Sequence, residues 1–257
     1  MSDYPPLSHR VASVWYRHYR VYTKNLLSNG IPPFLEPLIF LAGIGLGIGK
    51  YVTSMQQMPY ITFLAMGLPI TAAMFTAAFE CTFGTFIRME FDNVYDGMLA
   101  APITVRDLLV GEILWAGSKG LFFSLAVVFV ESLFGIVPMP LSLLTGFVGL
   151  ATGAMFAAIS LLVTSFVTTI NHFNFYFTGF LSPMFFFSGV VFPIQNLPPV
   201  LRPVAEIFPL THAVRLARAL DLGQATPQMG VDVFFIAAFT AVAGFFAVRR
   251  LKKRLVH

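Results

Sequence analysis

Long apolar runs separated by short clusters of charge dominate this chain, and runs of that length cannot be left in water. Six of them, about residues 31–51, 60–82, 115–137, 141–168, 173–192 and 231–248, are near or above the ~20 residues that a tilted helix needs to cross a bilayer. With 57% hydrophobic and 11% charged residues and a mean hydropathy of +0.78, too few polar side chains remain to cover a water-soluble globule. The expected fold is an all-α integral membrane protein with six transmembrane helices.

An even number of spans places both termini on one side, and the basic residues say which. Arg10, Arg17, Arg20 and Lys24 precede the first span, Arg88 and Arg106 lie between the second and third, and Arg249, Arg250, Lys252, Lys253 and Arg254 follow the last. By the positive-inside rule these face the cytoplasm, leaving Lys50, Arg202, Arg215 and Arg218 opposite. The net charge of +4 therefore reads as orientation against a membrane rather than as affinity for nucleic acid. A lone cysteine, Cys81, excludes an internal disulfide or a thiolate metal cluster. The basic first thirty residues hold no apolar core of the kind a cleaved signal peptide requires.

Residues 8–29 read as an amphipathic helix lying flat before the first span. Arg10, Arg17, Arg20 and Lys24 share one face and Val11, Trp15, Tyr19, Tyr22 and Leu26 the other, with Val14 and Val21 misplaced on the basic side. Further on, "GIGLGIGKY" looks at first like a phosphate loop, but Tyr51 follows Lys50 where a hydroxyl must stand, and the dinucleotide spacing fails as well. Inside an apolar helix, Gly43/Gly47 and Gly45/Gly49 form overlapping small-xxx-small pairs that let another backbone approach, the alternative being a distorted span end. Lys50 and Tyr51 would then reach the outer headgroups.

Two connecting segments are too organised to be linkers. In residues 87–121 the charges Arg88, Glu90, Asp92 and Asp96 crowd together, Pro102 breaks the chain, and Thr104 is placed to cap a new helix that climbs into the membrane. Trp115 suits the interface, so Glu112 is expected near water with Lys119 snorkelling back; a buried Glu112–Lys119 pair is the alternative. In residues 193–230, prolines 198, 199, 203 and 209 delimit two short helices, the second from about Leu210 to Leu222, closed by Gly223. Leu210, Val214, Ala217 and Leu220 would face membrane or protein, and Arg215, Arg218 and Asp221 outward, in a segment apolar enough to dip back into the outer leaflet.

Enzymatic chemistry is poorly represented. His9, His18, His172, His212 and His257 are scattered, and neither a helical His-Glu-x-x-His array nor a Gly-x-Ser-x-Gly elbow occurs. Glu36, Glu80 and Glu131 lie near span ends, where solvation or a local partner accounts for a carboxylate more simply than a proton relay. The fifth predicted span is densest in aromatic rings, which cover every face, so some meet lipid and others either pack or line a path. Gly179 and Pro183 would allow it to bend.

Taken together, six spans, the flat N-terminal helix, "MLAAPITVRDLLVGEILWAGSKG", "SGVVFPIQNLP" and "PLTHAVRLAR" resemble an ABC-2 type exporter permease over essentially the whole chain. Within that family the likeness is to permeases that export nodulation lipo-oligosaccharides, with polysaccharide and drug exporters as near relatives. The resemblance implies a homodimer in a bacterial inner membrane, moving an amphipathic glycolipid, lipo-oligosaccharide or polysaccharide outward, with no cofactor in this chain and ATP and Mg in a separate ATPase subunit. It implies that the coupling region 88–106, with Glu90, Asp92, Asp96 and Leu99, docks on that ATPase. It also implies that Phe173, Tyr176, Phe177 and Phe180 line the path, and that Pro193, Pro209, His212 and Arg218 belong to an outer gate. Competing readings are a drug or lipid exporter of the same family, an intramembrane enzyme using Glu36, Glu80 or His172, and a structural membrane subunit.

Overall fold

The computed structural model describes residues 5–49, 51–52 and 54–255, with residues 36, 37, 45 and 46 described in backbone only. Lys50 and His257, and the surroundings of Glu36 and Gly45, lie outside the described residues. In order come α1 (Leu7–Lys24), α2 (Leu26–Gly49), a two-residue hairpin pairing Ser54–Met55 with Met58–Pro59, α3 (Tyr60–Phe91), α4 (Val94–Leu99), α5 (Val105–Leu133) and α6 (Leu141–Thr164). Then follow α7 (170–187), α8 (Arg202–Ile207), α9 (Pro209–Asp221) and α10 (Gln228–Leu255).

Five of these, α2, α3, α5, α6 and α10, are long and apolar enough to cross a membrane. The predicted span 173–192 departs from this: α7 stops at Phe187, and the chain turns at Gly189, whose φ of +82° suits a residue without Cβ. At 1.5 Å per residue α7 measures roughly 27 Å, and it runs between the two ends of the bundle. At one end, the basic end, Arg254 of α10 bonds the carbonyls of Thr164 and Val167 and the carboxylate of Glu90, and Arg10 of α1 pairs with Asp107 at the start of α5. At the far end, α9 is tied to the starts of α3, α6 and α10 through Arg218, Asp221 and His212. Since α6 finishes at the basic end and α10 starts at the far end, α7 carries the chain between them.

The centre is α3, α5 and α6, whose buried apolar side chains include Ile70, Met74, Leu108, Leu109, Met155 and Phe156. α5 begins with a capping box: Asp107 N–H donates to Thr104 Oγ1, and the Thr104 N–H returns a bond to Asp107. Glycine brings α5 and α6 together almost backbone to backbone. A Cβ at Gly120 would stand 2.5 Å from the Gly149 carbonyl oxygen, and one at Gly153 2.9 Å from that of Ala116. Ser124 Oγ then reaches the Pro69 carbonyl and Thr164 Oγ1 the Cys81 carbonyl, tying both helices to α3.

The glycines that the sequence singles out behave otherwise. A Cβ at Gly43, Gly47 or Gly49 would meet nothing within 4 Å among the described residues, so these glycines make no close helix contact there, and α2 loosens into a π-helical turn over Leu41–Leu46. α2 is held mainly by Phe34 against Phe122 and Phe129, and by Phe40 against Phe185.

α1 keeps part of its expected facing, with Val11, Trp15 and Tyr22 packed on α5, and departs from it elsewhere. It buries Val11, Val14 and His18 against α5, whereas Tyr19 and Leu26 of the expected apolar face are exposed. Gly111 is the reason: a Cβ there would lie 2.6 Å from the Val14 side chain, so its absence makes the notch into which α1 settles. A backbone notch on a distant helix outweighs the helical periodicity of α1 itself.

Gly120→Ala should therefore lower the stability of the purified protein in detergent by about 1–3 kcal/mol through overpacking against backbone. Gly47→Ala should leave stability unchanged or slightly raised, since alanine is the better helix former. Equal losses in unfolding measurements on the two variants would contradict this packing.

Candidate functional site

Five charged or titratable side chains from α1, α3 and α5 form one continuous chain beneath α4. Glu112 of α5 is fully buried, and its Oε2 accepts a 2.8 Å bond from Arg88 Nη2. The other guanidinium arm of Arg88 donates to Glu80 Oε1, also at 2.8 Å, and Glu80 Oε2 accepts from Lys119 Nζ at 2.8 Å. On the opposite side of Glu112, Oε1 lies 3.0 Å from His18 Nε2 and accepts from the Tyr95 hydroxyl at 2.7 Å. Thr85 sits within the chain and accepts from Arg88 at 3.3 Å.

Each member is positioned by a local feature. Glu80 and Arg88 occupy the π-helical turns Glu80–Gly84 and Ile87–Phe91, which shift the register of α3 so that both side chains reach the same side of α5. Gly84 gives Arg88 its room, since a Cβ there would stand 3.3 Å from the guanidinium. His18 stacks on Trp115, and Trp15 Nε1 donates to Ser118 Oγ, fixing α1 along α5. Asn93, in the left-handed region at φ +51°, turns the chain from α3 into α4 and aims Tyr95 inward. Burial pushes the Tyr95 phenol well above its ordinary pKa, and the neighbouring Glu112 carboxylate adds to this, so the hydroxyl keeps its proton and stays a donor.

The chain of groups alternates in sign, Glu112 and Glu80 against Arg88 and Lys119, so the buried charges are compensated within it. Both sequence readings of Glu112 and Lys119 are corrected here. Glu112 is not near water, and its partner is Arg88 rather than Lys119, which pairs with Glu80. The reason is the length of α3: it continues as helix to Phe91, so that Arg88, expected in a connecting segment beyond the span, runs alongside α5 with Glu80. No periodicity reveals this set, because its members come from separate helices joined through π turns.

Of the residues expected to meet an ATPase, Asp92 and Asp96 are exposed and make no ion pair among the described residues, Glu90 is held by Arg254 at 2.8 Å, and Leu99 packs partly buried against the core. The residues expected to line a path divide. Phe173 is buried against Phe83 and Phe86, and Tyr176 shares a 3.0 Å bond with Ser160, so both serve the core. Phe177 packs on Phe79, and Phe180, stacked on Tyr176, is the most open of the four.

At the far end Pro193, Pro209 and His212 are buried and Arg218 is half-buried. Arg218 donates to the carbonyls of Phe63, Gly189 and Val190 and lies over the Phe63 ring. His212 bridges Asp232 and the Glu206 carbonyl, and Arg215 grips both Asp232 and Glu206. Arg218 and Asp221 therefore do not face outward as expected: helix ends and turns offer free carbonyls and hydroxyls that draw them in, Thr145 donating to Asp221. Glu131, expected to be solvated or locally partnered, is buried, and its carboxylate has no hydrogen-bond partner among the described residues. No group of three or more metal-ligating side chains occurs among the described residues.

A polytopic helical bundle with a buried charge chain joining a short connecting helix to its spans defines a membrane protein built around polar contacts between helices. Residues 9–222 match the family model described as ABC-2 type transporter, and the chain belongs to that family. It is 32% identical over 244 residues to "Nodulation protein J" of Sinorhizobium fredii, covering 95% of this chain and 93% of the relative. It is 30% identical to "Nodulation protein J" of Bradyrhizobium diazoefficiens, covering 98% and 96%. To "Inner membrane transport permease YadH" of Escherichia coli it is 22% identical, covering 88% and 90%. The protein is thus a transport subunit of ABC-2 type resembling the nodulation permeases.

Removing one member of the charge chain should leave another charge buried alone. Arg88→Met should cost about 3–5 kcal/mol of stability, and adding Glu112→Gln should restore a large part of it. Unfolding of the two single variants and the double variant measures the coupling; additive losses would show that the pair does not act as a unit.

Proposed function

We propose that this chain is the permease subunit of an ATP-driven exporter, acting as a homodimer in a bacterial inner membrane with its basic end in the cytoplasm. In this reading α7 is the sixth crossing, which its course between the two ends of the bundle supports. Concentration of Arg and Lys at the basic end supports the orientation. An ATPase subunit, carrying ATP and Mg, binds at α4, where Asp92 and Asp96 are exposed and free of ion pairs within the described residues. The cargo is an amphipathic glycolipid, lipo-oligosaccharide or polysaccharide, a reading that rests on likeness to the nodulation permeases.

One observation carries the mechanism: Tyr95 of α4 bonds directly to Glu112, which also holds Arg88 of α3 and faces His18 of α1. A displacement of α4 by the ATPase that left those helices in place would take the Tyr95 donor from the buried Glu112 carboxylate, a loss on the order of 1–3 kcal/mol. Motion of a short surface helix is thereby transmitted to α1, α3 and α5 as one body. Arg218 and the carbonyls it binds hold α9 to α3 at the far end, so the same displacement reaches the turn at Gly189. Opening at that turn releases cargo outward.

Reconstitution of the chain with its ATPase in liposomes tests this, with hydrolysis followed while amphipathic glycolipids are added. Tyr95→Phe removes the donor to Glu112 without opening a cavity, and should lower cargo-stimulated hydrolysis several-fold while basal hydrolysis persists. Asp92→Lys or Asp96→Lys should weaken ATPase association. Failure to bind any ATPase would overturn the exporter reading, and unaltered stimulation in Tyr95→Phe would overturn transmission through Glu112.

A further inference from the structure

A groove runs along the side of the bundle between α2, α3, α5 and α7, and the charge chain opens into it. Nearest the basic end it is a cavity of about 510 Å³ onto which Glu80, Arg88 and Lys119 face. Toward the far end it continues as a second cavity of about 260 Å³, lined by Phe40, Leu68, Val127 and Phe185. Ala72, Phe75 and Phe123 line both and form the junction. The groove is thus charged at one end and, Thr71 apart, apolar beyond the junction.

Its charged end presents Arg88 and Lys119 beside Glu80, while Glu112, which also holds Arg88, is not among the residues lining the cavity. The side chains of Glu80, Arg88 and Lys119 keep 14–15% exposure, which the groove supplies. Lys119 Nζ makes one hydrogen bond, to Glu80, and otherwise lies over the rings of Tyr22 and Phe123, leaving N–H capacity for a further acceptor. An end with ammonium and guanidinium donors on the basic side, continuing into an aromatic trough, has the polarity of a lipid of that leaflet. Basic pockets between membrane helices bind anionic headgroups on the same terms.

We propose that this groove is a binding site for an anionic phospholipid of the leaflet on the basic side, with its phosphate at Lys119 and Arg88 and one acyl chain lying over Phe75 and Phe123 toward Phe185. The site does not depend on the exporter reading. An occupant there touches Glu80 and Arg88, and through them Glu112 and α4, so lipid composition acts on the same charge chain that joins α4 to the spans.

The full chain in phosphatidylethanolamine vesicles, with or without phosphatidylglycerol, provides the test. Trace phosphatidylglycerol or phosphatidylethanolamine with a photoreactive acyl chain is crosslinked and the labelled peptides are mapped. Labelling by the anionic lipid should concentrate on the peptides containing Phe75 and Phe123, well above that on the exposed α10 face around Phe245. Lys119→Glu should reduce anionic labelling several-fold and leave neutral-lipid labelling unchanged, and Ala72→Trp, which fills the junction, should abolish both. If Lys119→Glu does not fold, Lys119→Gln, which keeps a hydrogen-bonding end for Glu80, gives the same comparison. Labelling no stronger than on α10, or equal for the two lipids and insensitive to these substitutions, overturns the site.

Discussion

Much of this structure depends on keeping Glu112 charged inside a helical bundle. A buried carboxylate is tolerated only when it is hydrogen-bonded or paired, and here Arg88 and Tyr95 bond Glu112 while His18 lies 3.0 Å from it, so that three other elements converge on one group. The requirement explains why α3 continues past the expected end of its span, why α4 turns back under the bundle, and why α1 lies along α5. α1 and α4 would otherwise be marginal helices at a membrane surface. A single buried group makes their positions interdependent, which is the property a transmitting element needs.

The opposite end solves the same problem with different parts. Arg218 is half-buried among the carbonyls of Phe63, Gly189 and Val190, so the turn at Gly189 and the cation satisfy one another. Between the two polar ends, α5 and α6 meet through glycine contacts that admit no side chain, and this packed centre is bonded to α3 by Ser124 and Thr164. The result is a rigid middle with hydrogen-bonded, rearrangeable ends.

Much of the architecture was legible in the sequence. Apolar runs of bilayer length located the five long helices, Thr104 marked the start of α5, and Pro209 and Gly223 bounded α9. The site was legible only in fragments. Glu80, Arg88, Glu112 and Lys119 were visible as charges near span ends, but their pairing depends on two π turns that no hydrophobic period encodes. His18 looked like one scattered histidine among five, and Tyr95 carried no signal beyond its place in a charged segment. The "GIGLGIGKY" run drew attention because glycine repeats are conspicuous, yet the glycines in close contact include Gly111, Gly117, Gly120, Gly149 and Gly153, of which Gly149 and Gly153 share the same four-residue spacing.

What the sequence determined by itself was the solvent and the class: its hydropathy requires a bilayer, its basic clusters gather at one end, and its motifs place it among the ABC-2 type transporters. Those properties follow from sums and periods along the chain, which a linear reading captures. What only the tertiary structure decided was which charges meet, which aromatic residues are core and which face the groove, and which face of α1 is buried. These depend on the gaps left by side chains far away in sequence, the missing Cβ of Gly111 above all, and in a close-packed bundle such gaps exist only once the helices have been brought together.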